Sequence, residues 1–202
     1  AVGNRAYNNQ TFGFDAFDRD PETIRDNDIY SNQVGIRIGN DNSLIAGNRI
    51  YANTDGAIRL ESGAEFVEIR NNTILQGTGY GISLNDRSRN VGLRNNIVRI
   101  DDGPAIQVSK DSQRALESDY NLFDLGSGAN VYDWGGHTFG ALDAVFYNLG
   151  HEANSRTGDP QFVDVDGADD FLGYDSANDA DKGRDDDFHL QGGSPGVDAG
   201  DP

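Results

Sequence analysis

Two short phrases alternate along the first half of the chain. One reads Gly35-Ile36-Arg37-Ile38, then Ala57-Ile58-Arg59-Leu60, Gly81-Ile82-Ser83-Leu84 and Ala105-Ile106-Gln107-Val108. The other occupies residues 24–29, 45–50, 69–74 and 93–98, with Asn27, Asn48, Asn72 and Asn96 at matching places. These asparagines recur at intervals of 21, 24 and 24 residues, and Asn121 marks a weaker fifth copy at 116–122. Short strands at this period mean stacked repeats, because each unit buries its apolar face only against its neighbours.

In Gly-Ile-Arg-Ile the two isoleucines share one strand face and the arginine takes the other. Between Ile45 and Ile50 a Gly-Asn step provides a sharp turn, since both residues accept left-handed backbone. Stacked turns set the asparagines one above another, where their amides can bond along the stack. Leucine-rich repeats share this period, but they need the L-x-x-L-x-L-x-x-N phrase and often a helix per repeat. The connecting segments here, such as 39–43 and 76–79, are turn formers without helical periodicity. The expected fold is all-β, a parallel β-helix of about five coils of 21–25 residues.

The residue distribution divides the chain. All 13 isoleucines lie between Ile24 and Ile106, whereas residues 151–202 carry 14 acidic side chains against Arg156, Lys182 and Arg184. Residues 1–135 are therefore read as coils, and 136–202 as a C-terminal cap packed on the same domain. The net charge of −18 disfavours nucleic acid and anionic lipid as partners. The absence of cysteine excludes disulfides and thiolate chemistry. No apolar run is long enough for a membrane span. With no methionine and no signal peptide at Ala1, the expectation is a monomer or a module of a larger chain. Ala141, Leu142, Val145, Phe146 and Leu149 form a helical apolar stripe, with Thr138 and Gly150 as expected caps, read as a lid over the last coil.

The repeats resemble those of right-handed parallel β-helix proteins related to pectate lyases. The resemblance implies three strands per coil, an asparagine ladder between the second and third, and a substrate groove along the first. A second resemblance covers the tail: Asp159-Pro160-Gln161-Phe162-Val163-Asp164, Asp187-Phe188-His189-Leu190 and 194–200 are similar to the closing segment of secreted bacterial β-helix repeat proteins. That implies a secreted or cell-surface bacterial location. The tail departs from the pattern at Gly196 and by its acidic insertion at 165–186.

With the isoleucines inward, Asp15, Arg37, Arg59, Ser83 and Gln107 form an outward column. Its rungs are about 4.8 Å apart, a track suited to a linear polysaccharide, and it is the candidate for the groove strand. A second outward column is expected to hold Arg25, Arg70, Arg94 and Glu117. Catalytic candidates are Lys110, Arg59 and Asp15, a base and charged neighbours for a lyase or epimerase acting on a uronate polymer. Arginine normally stays protonated, and Asp15, Asp18 and Asp20 are expected on different faces rather than as a glycosidase pair. The segment from Phe12 to Phe17 faintly resembles a motif of bacterial alginate epimerases, with Phe17 in place of the catalytic histidine. His137, His151 and His189 read as surface or capping residues.

Asp164, Asp166, Asp169, Asp170, Asp175, Asp179 and Asp181 place carboxylates at short intervals around Gly167. Calcium takes six to eight oxygens from such loops, so Ca²⁺ is the expected cofactor. The functional expectation is a calcium-stabilised extracellular module that binds polysaccharide or a cell-surface glycan. The rivals are a polysaccharide lyase or epimerase, and a structural or adhesive module without glycan binding.

Overall fold

A computed structural model describes residues 1–17 and 20–201; Asp18 lies outside the described residues. The chain is an all-β, right-handed solenoid of about five turns, with a single short helix among the described residues. Each full coil has three strands, as in Thr23–Arg25, Asp28–Tyr30 and Val34–Ile38, followed by Leu44–Ala46, Arg49–Tyr51 and Gly56–Leu60. Equivalent strands of successive coils pair in parallel. Counted instead from the strand that carries the outward column, as Val34–Ile38, Leu44–Ala46 and Arg49–Tyr51, the asparagine turn joins the second strand to the third.

The interior is a set of aliphatic stacks. Ile29, Ile50, Ile74 and Val98 lie in register on one wall, and Ile36, Ile58, Ile82 and Ile106 on another. All are at most 1% exposed. Burial of a β-branched side chain contributes roughly 1.5–3 kcal/mol, so repetition builds this core from a modest apolar content. In the fourth and fifth coils the turn between third and first strands is replaced by continuous strands, Ile97–Val108 and Leu122–Trp134.

The sharp turn takes one left-handed residue before each ladder asparagine. Asp26, Gly47, Asn71, Asn95 and Tyr120 have φ between 55° and 65°. The ladder follows as expected: Asn27 Nδ2 donates to Asn48 Oδ1 at 2.9 Å, Asn48 to Asn72 at 2.9 Å, Asn72 to Asn96 at 3.0 Å and Asn96 to Asn121 at 3.1 Å. Asn4 extends it at the front, donating to Asn27. The chain also builds a second ladder, Asn9 to Asn32 to Asn53, which closes on Gln76. Its asparagines follow those of the first by five residues, after left-handed Asn8, Ser31 and Ala52.

The helix Leu142–Leu149 covers the last coil through buried Val145, with Leu142 and Leu149 packed on the same core. Gly150 is its C-cap, with φ 76°. Thr138 does not cap it. That residue lies in the strand His137–Phe139, which doubles back antiparallel on Leu122–Trp134, and the N-cap position is Ala141 without a side-chain bond. The tail beyond the helix returns along the flank of the coils rather than lying over their end. Phe162 and Phe188 pack there on the outward Tyr30, Tyr51 and Leu75. Tyr7, Tyr30 and Tyr51 stack at 5.1 and 4.9 Å, and Phe188 continues the row at 4.8 Å from Tyr51.

Candidate functional site

The outward column forms with the expected register. Asp15 pairs with Arg37, Arg37 with Arg59, Arg59 with Ser83 and Ser83 with Gln107. One further rung, Asp133, continues it. Parallel pairing fixes this alignment, because a slip of one residue would turn the isoleucines outward.

The column is not a row of free cations. Arg37 makes a two-pronged bond to Asp15, 2.8 and 2.6 Å, and reaches Glu61 at 3.4 Å. Its guanidinium lies between the rings of Phe12 and Phe17, 4.2 and 4.3 Å from their centroids. The bond to Asp15 raises its pKa further, so Arg37 cannot act as a base. Arg59 donates from Nε to the Tyr80 hydroxyl at 2.7 Å. Tyr80 lies across Gly56, where a Cβ would collide with its ring. Burial raises the Tyr80 pKa, against the opposing effect of Arg59. Ser83, expected on the accessible face, is fully buried. Its hydroxyl donates to Gln107 Oε1 and accepts from Asn85 Nδ2. Accessible polar groups are therefore those of Asp15, Arg59, Tyr80, Gln107 and Asp133. Tyr80 was not singled out by sequence; its opposition to glycine in the repeat register was the available signal.

The three catalytic candidates do not converge. Asp15 is taken up by Arg37, and Arg59 lies two rungs away. Lys110 sits exposed in the turn beyond the fourth copy, without an ion pair among the described residues. The second column also differs from expectation. Arg25, Ala46, Arg70 and Arg94 align with Asp119, while Glu117 aligns with Gly92 and Glu68 in the neighbouring column. The fifth copy places its leucine five residues before Asn121, against three before Asn96, and this shifts the register.

The seven carboxylates proposed for calcium are spread over several local partners. Asp169 pairs with Lys182 at 2.8 Å, and Asp181 with Arg5 at 2.8 Å and Arg184 at 3.3 Å. Asp179 accepts from the Tyr174 hydroxyl. Asp175 accepts from Asn178 Nδ2 at 2.6 Å and closes its own turn. Only Asp164, Asp166 and Asp170 are left, close to Asp185. Loss of some hydration and then the charges of those neighbours raise the pKa of the exposed Asp164. Among the described residues, no three such side chains are arranged to hold an ion, so the seven do not form one ready cage. Asp186 stands apart: it is 4% exposed and accepts from Gly173 N–H, while its Oδ1 has no partner. Burial raises its pKa to about 6.

His151 packs its ring against Tyr132 and Trp134, and burial lowers its pKa. His189 is exposed beside Asp187. Neither adjoins the column. Among the described residues no helix is long and apolar enough to cross a membrane.

No curated protein and no solved structure matches the chain. A family model described as a right handed beta helix region matches residues 1–141, which takes in every coil and the cap as far as the start of the helix. The chain therefore belongs to the right-handed β-helix family.

Proposed function

We propose that this protein binds a polysaccharide along the column from Asp15 to Asp133, outside a bacterial cell. The observation that carries the reading is the alignment of polar positions on six successive rungs of one strand stack, all but the buried Ser83 reaching the surface. A linear polymer can meet such a row at a constant spacing of about 4.8 Å. The charges favour a neutral glycan over a polyuronate. Arg37 is neutralised by Asp15, and Glu61 and Asp133 stand against the one remaining cation, Arg59. Tyr80 supplies a ring face, and Gln107 and Arg59 supply the paired donors and acceptors that sugar hydroxyls need.

Calcium enters this reading at one place. Asp164, Asp166, Asp170 and Asp185 repel one another, and a cation drawing them together would stabilise the tail by mass action. It would act on the tail that packs against Tyr30 and Tyr51, not on the column itself.

A glycan array read with and without calcium tests both parts. Binding to neutral polysaccharides, independent of calcium, is the expected result. Preference for uronate polymers, with new absorbance at 235 nm, would replace this reading with a lyase. No binding to any glycan would leave a structural or adhesive module.

A further inference from the structure

The five-stranded sheet that includes Glu65–Arg70 carries no part of the column, and it holds one side chain that folding does not account for. Asn42, Phe66, Asn90 and Ala115 lie in register on four successive rungs of this sheet, and all have φ between 54° and 57°. Asparagine tolerates this left-handed conformation, whereas a bulky aromatic residue there is an outlier. Backbone strain of that kind concentrates at sites of function. The Phe66 ring adds nothing to the core: it is 57% exposed and belongs to neither apolar cluster. It is also the only aromatic residue on the five strands.

A groove of about 250 Å³ opens beside the ring. Its floor is Gly92 and Ala115; Phe66 and Glu68 wall it on one rung, and Glu117 walls it two rungs away. The Glu68 carboxylate lies over Gly92, where a Cβ would stand 2.5 Å from Oε2. Glu117 is matched by Arg94 at 3.4 Å, and Glu65 by Arg89. Glu68 has no ion pair or side-chain hydrogen bond among the described residues. Asn90 Nδ2 donates to Glu65 Oε2 at 3.3 Å, which leaves Asn90 Oδ1 as an acceptor at the groove.

The open polar groups beside the ring are thus acceptors, so a ligand must combine an apolar face with donors. A sugar ring and an alkylammonium both do so. Arg70, Arg89 and Arg94 stand on the same pair of strands and oppose a further cation, whereas sugar hydroxyls donate without charge. A volume below the roughly 300–1,000 Å³ of drug-sized sites suits a single ring.

We propose that Phe66, Glu68 and Asn90 form a carbohydrate site for one neutral pyranose unit. The apolar face of the sugar stacks on Phe66, and hydroxyls donate to Glu68 and Asn90. The site does not rest on glycan binding by the column, which runs on another sheet.

The test is NMR of the isotope-labelled protein with the methyl glycosides of glucose, galactose, mannose and N-acetylglucosamine, and with choline as the cation. At least one glycoside should shift the amides of 65–68 and 90–92 at millimolar concentration. Phe66→Asn gives this rung the side chain of its neighbours, so it should melt no lower than the parent protein. It should weaken the binding about tenfold, the scale of one lost aromatic contact. Glu68→Gln should weaken it too, at an unchanged melting temperature. Shifts confined to the column strands Gly56–Leu60 and Tyr80–Leu84 would place the sugar on the column alone and overturn the proposal. So would stronger binding of choline than of any glycoside, undiminished binding by Phe66→Asn, or no shift with any of these probes.

Discussion

Asn121 Nδ2 lies 3.2 Å from Glu152 Oε2, so the first row of stacked amides ends on a buried carboxylate. Amide dipoles aligned along the row point their positive ends at this group, as a helix C-terminal cation complements its carbonyls in reverse. Ser118, Ser155 and Tyr132 also donate their hydroxyls to it. Burial raises the Glu152 pKa while these four bonds oppose the rise. Four donors at one buried carboxylate make this the stop of the ladder.

Glu152→Ala should destabilise more than Glu152→Gln. Alanine leaves four donors without an acceptor, and each buried unsatisfied group costs about 1–3 kcal/mol. Glutamine keeps one oxygen and restores part of the set. Urea unfolding of the three proteins measures the order; equal midpoints for Ala and Gln would show that the donors turn to water instead.

The ladders should contribute rung by rung. Asn72→Ala in the first and Asn53→Ala in the second each remove a buried amide, at a cost of about 1–3 kcal/mol. Asn148→Ala on the exposed face of the helix should cost far less. Asn90 is unsuitable as a neutral comparison, because it holds φ 54° and alanine there would be strained. Thermal melting of the three variants decides whether the second ladder has the weight of the first.

These ladders show what the sequence made legible. The first was readable because its asparagines sit inside a conspicuous apolar phrase, Ile-x-x-Asn-x-Ile. The second was not, because Asn32 and Asn53 lie in polar linkers and Gln76 replaces the asparagine in the next coil. The aliphatic stacks and the outward column followed from strict alternation on short strands. The tail did not follow from pattern. Its anchors are Tyr7, Tyr30 and Tyr51, contributed by the coils over 100 residues earlier, and no local periodicity joins them to Phe162 or Phe188. Within the acidic insertion Phe171 is 39% exposed, whereas Leu172 and Tyr174 pack on the aromatic row, Tyr174 stacking on Tyr7 at 5.6 Å. Nor does the run of ten aspartates in 164–187 reveal by charge alone that Arg5, 176 residues from Asp181 in sequence, pairs with it.

Arg5→Ala should loosen the tail while leaving the coils folded. It removes the bonds to Asp181 and to the Tyr30 hydroxyl together. Breaking a partly buried pair leaves Asp181 without its main cation. Limited proteolysis should cut within 164–187 faster in this variant, with the circular dichroism of the β-sheet unchanged. Protection equal to the wild type would show that the aromatic row alone holds the tail.

Tail docking should also weaken as pH rises. The folded-state pKa of Asp186 is raised, to about 6 from 3.8. A raised acid pKa means that the docked form holds its proton more tightly than the detached form. The stabilisation is therefore full below about pH 4 and is lost as pH climbs through 6, by at most about 3 kcal/mol. Asp186→Asn, which keeps a neutral group at all pH values, should remove this dependence from the proteolysis rate between pH 4 and 7. An unchanged pH profile in the variant would assign the dependence to other carboxylates.

Calorimetry on the polysaccharide with the strongest array signal tests the central claim most directly. Wild-type protein, Arg59→Ala with Tyr80→Ala, and Arg70→Ala with Arg94→Ala are compared at equal thermal stability. The account predicts a loss of affinity of at least about tenfold, or about 1.4 kcal/mol, for the first pair and none for the second. Undiminished binding by the Arg59 and Tyr80 variant, or a larger loss from Arg70 and Arg94, would contradict it.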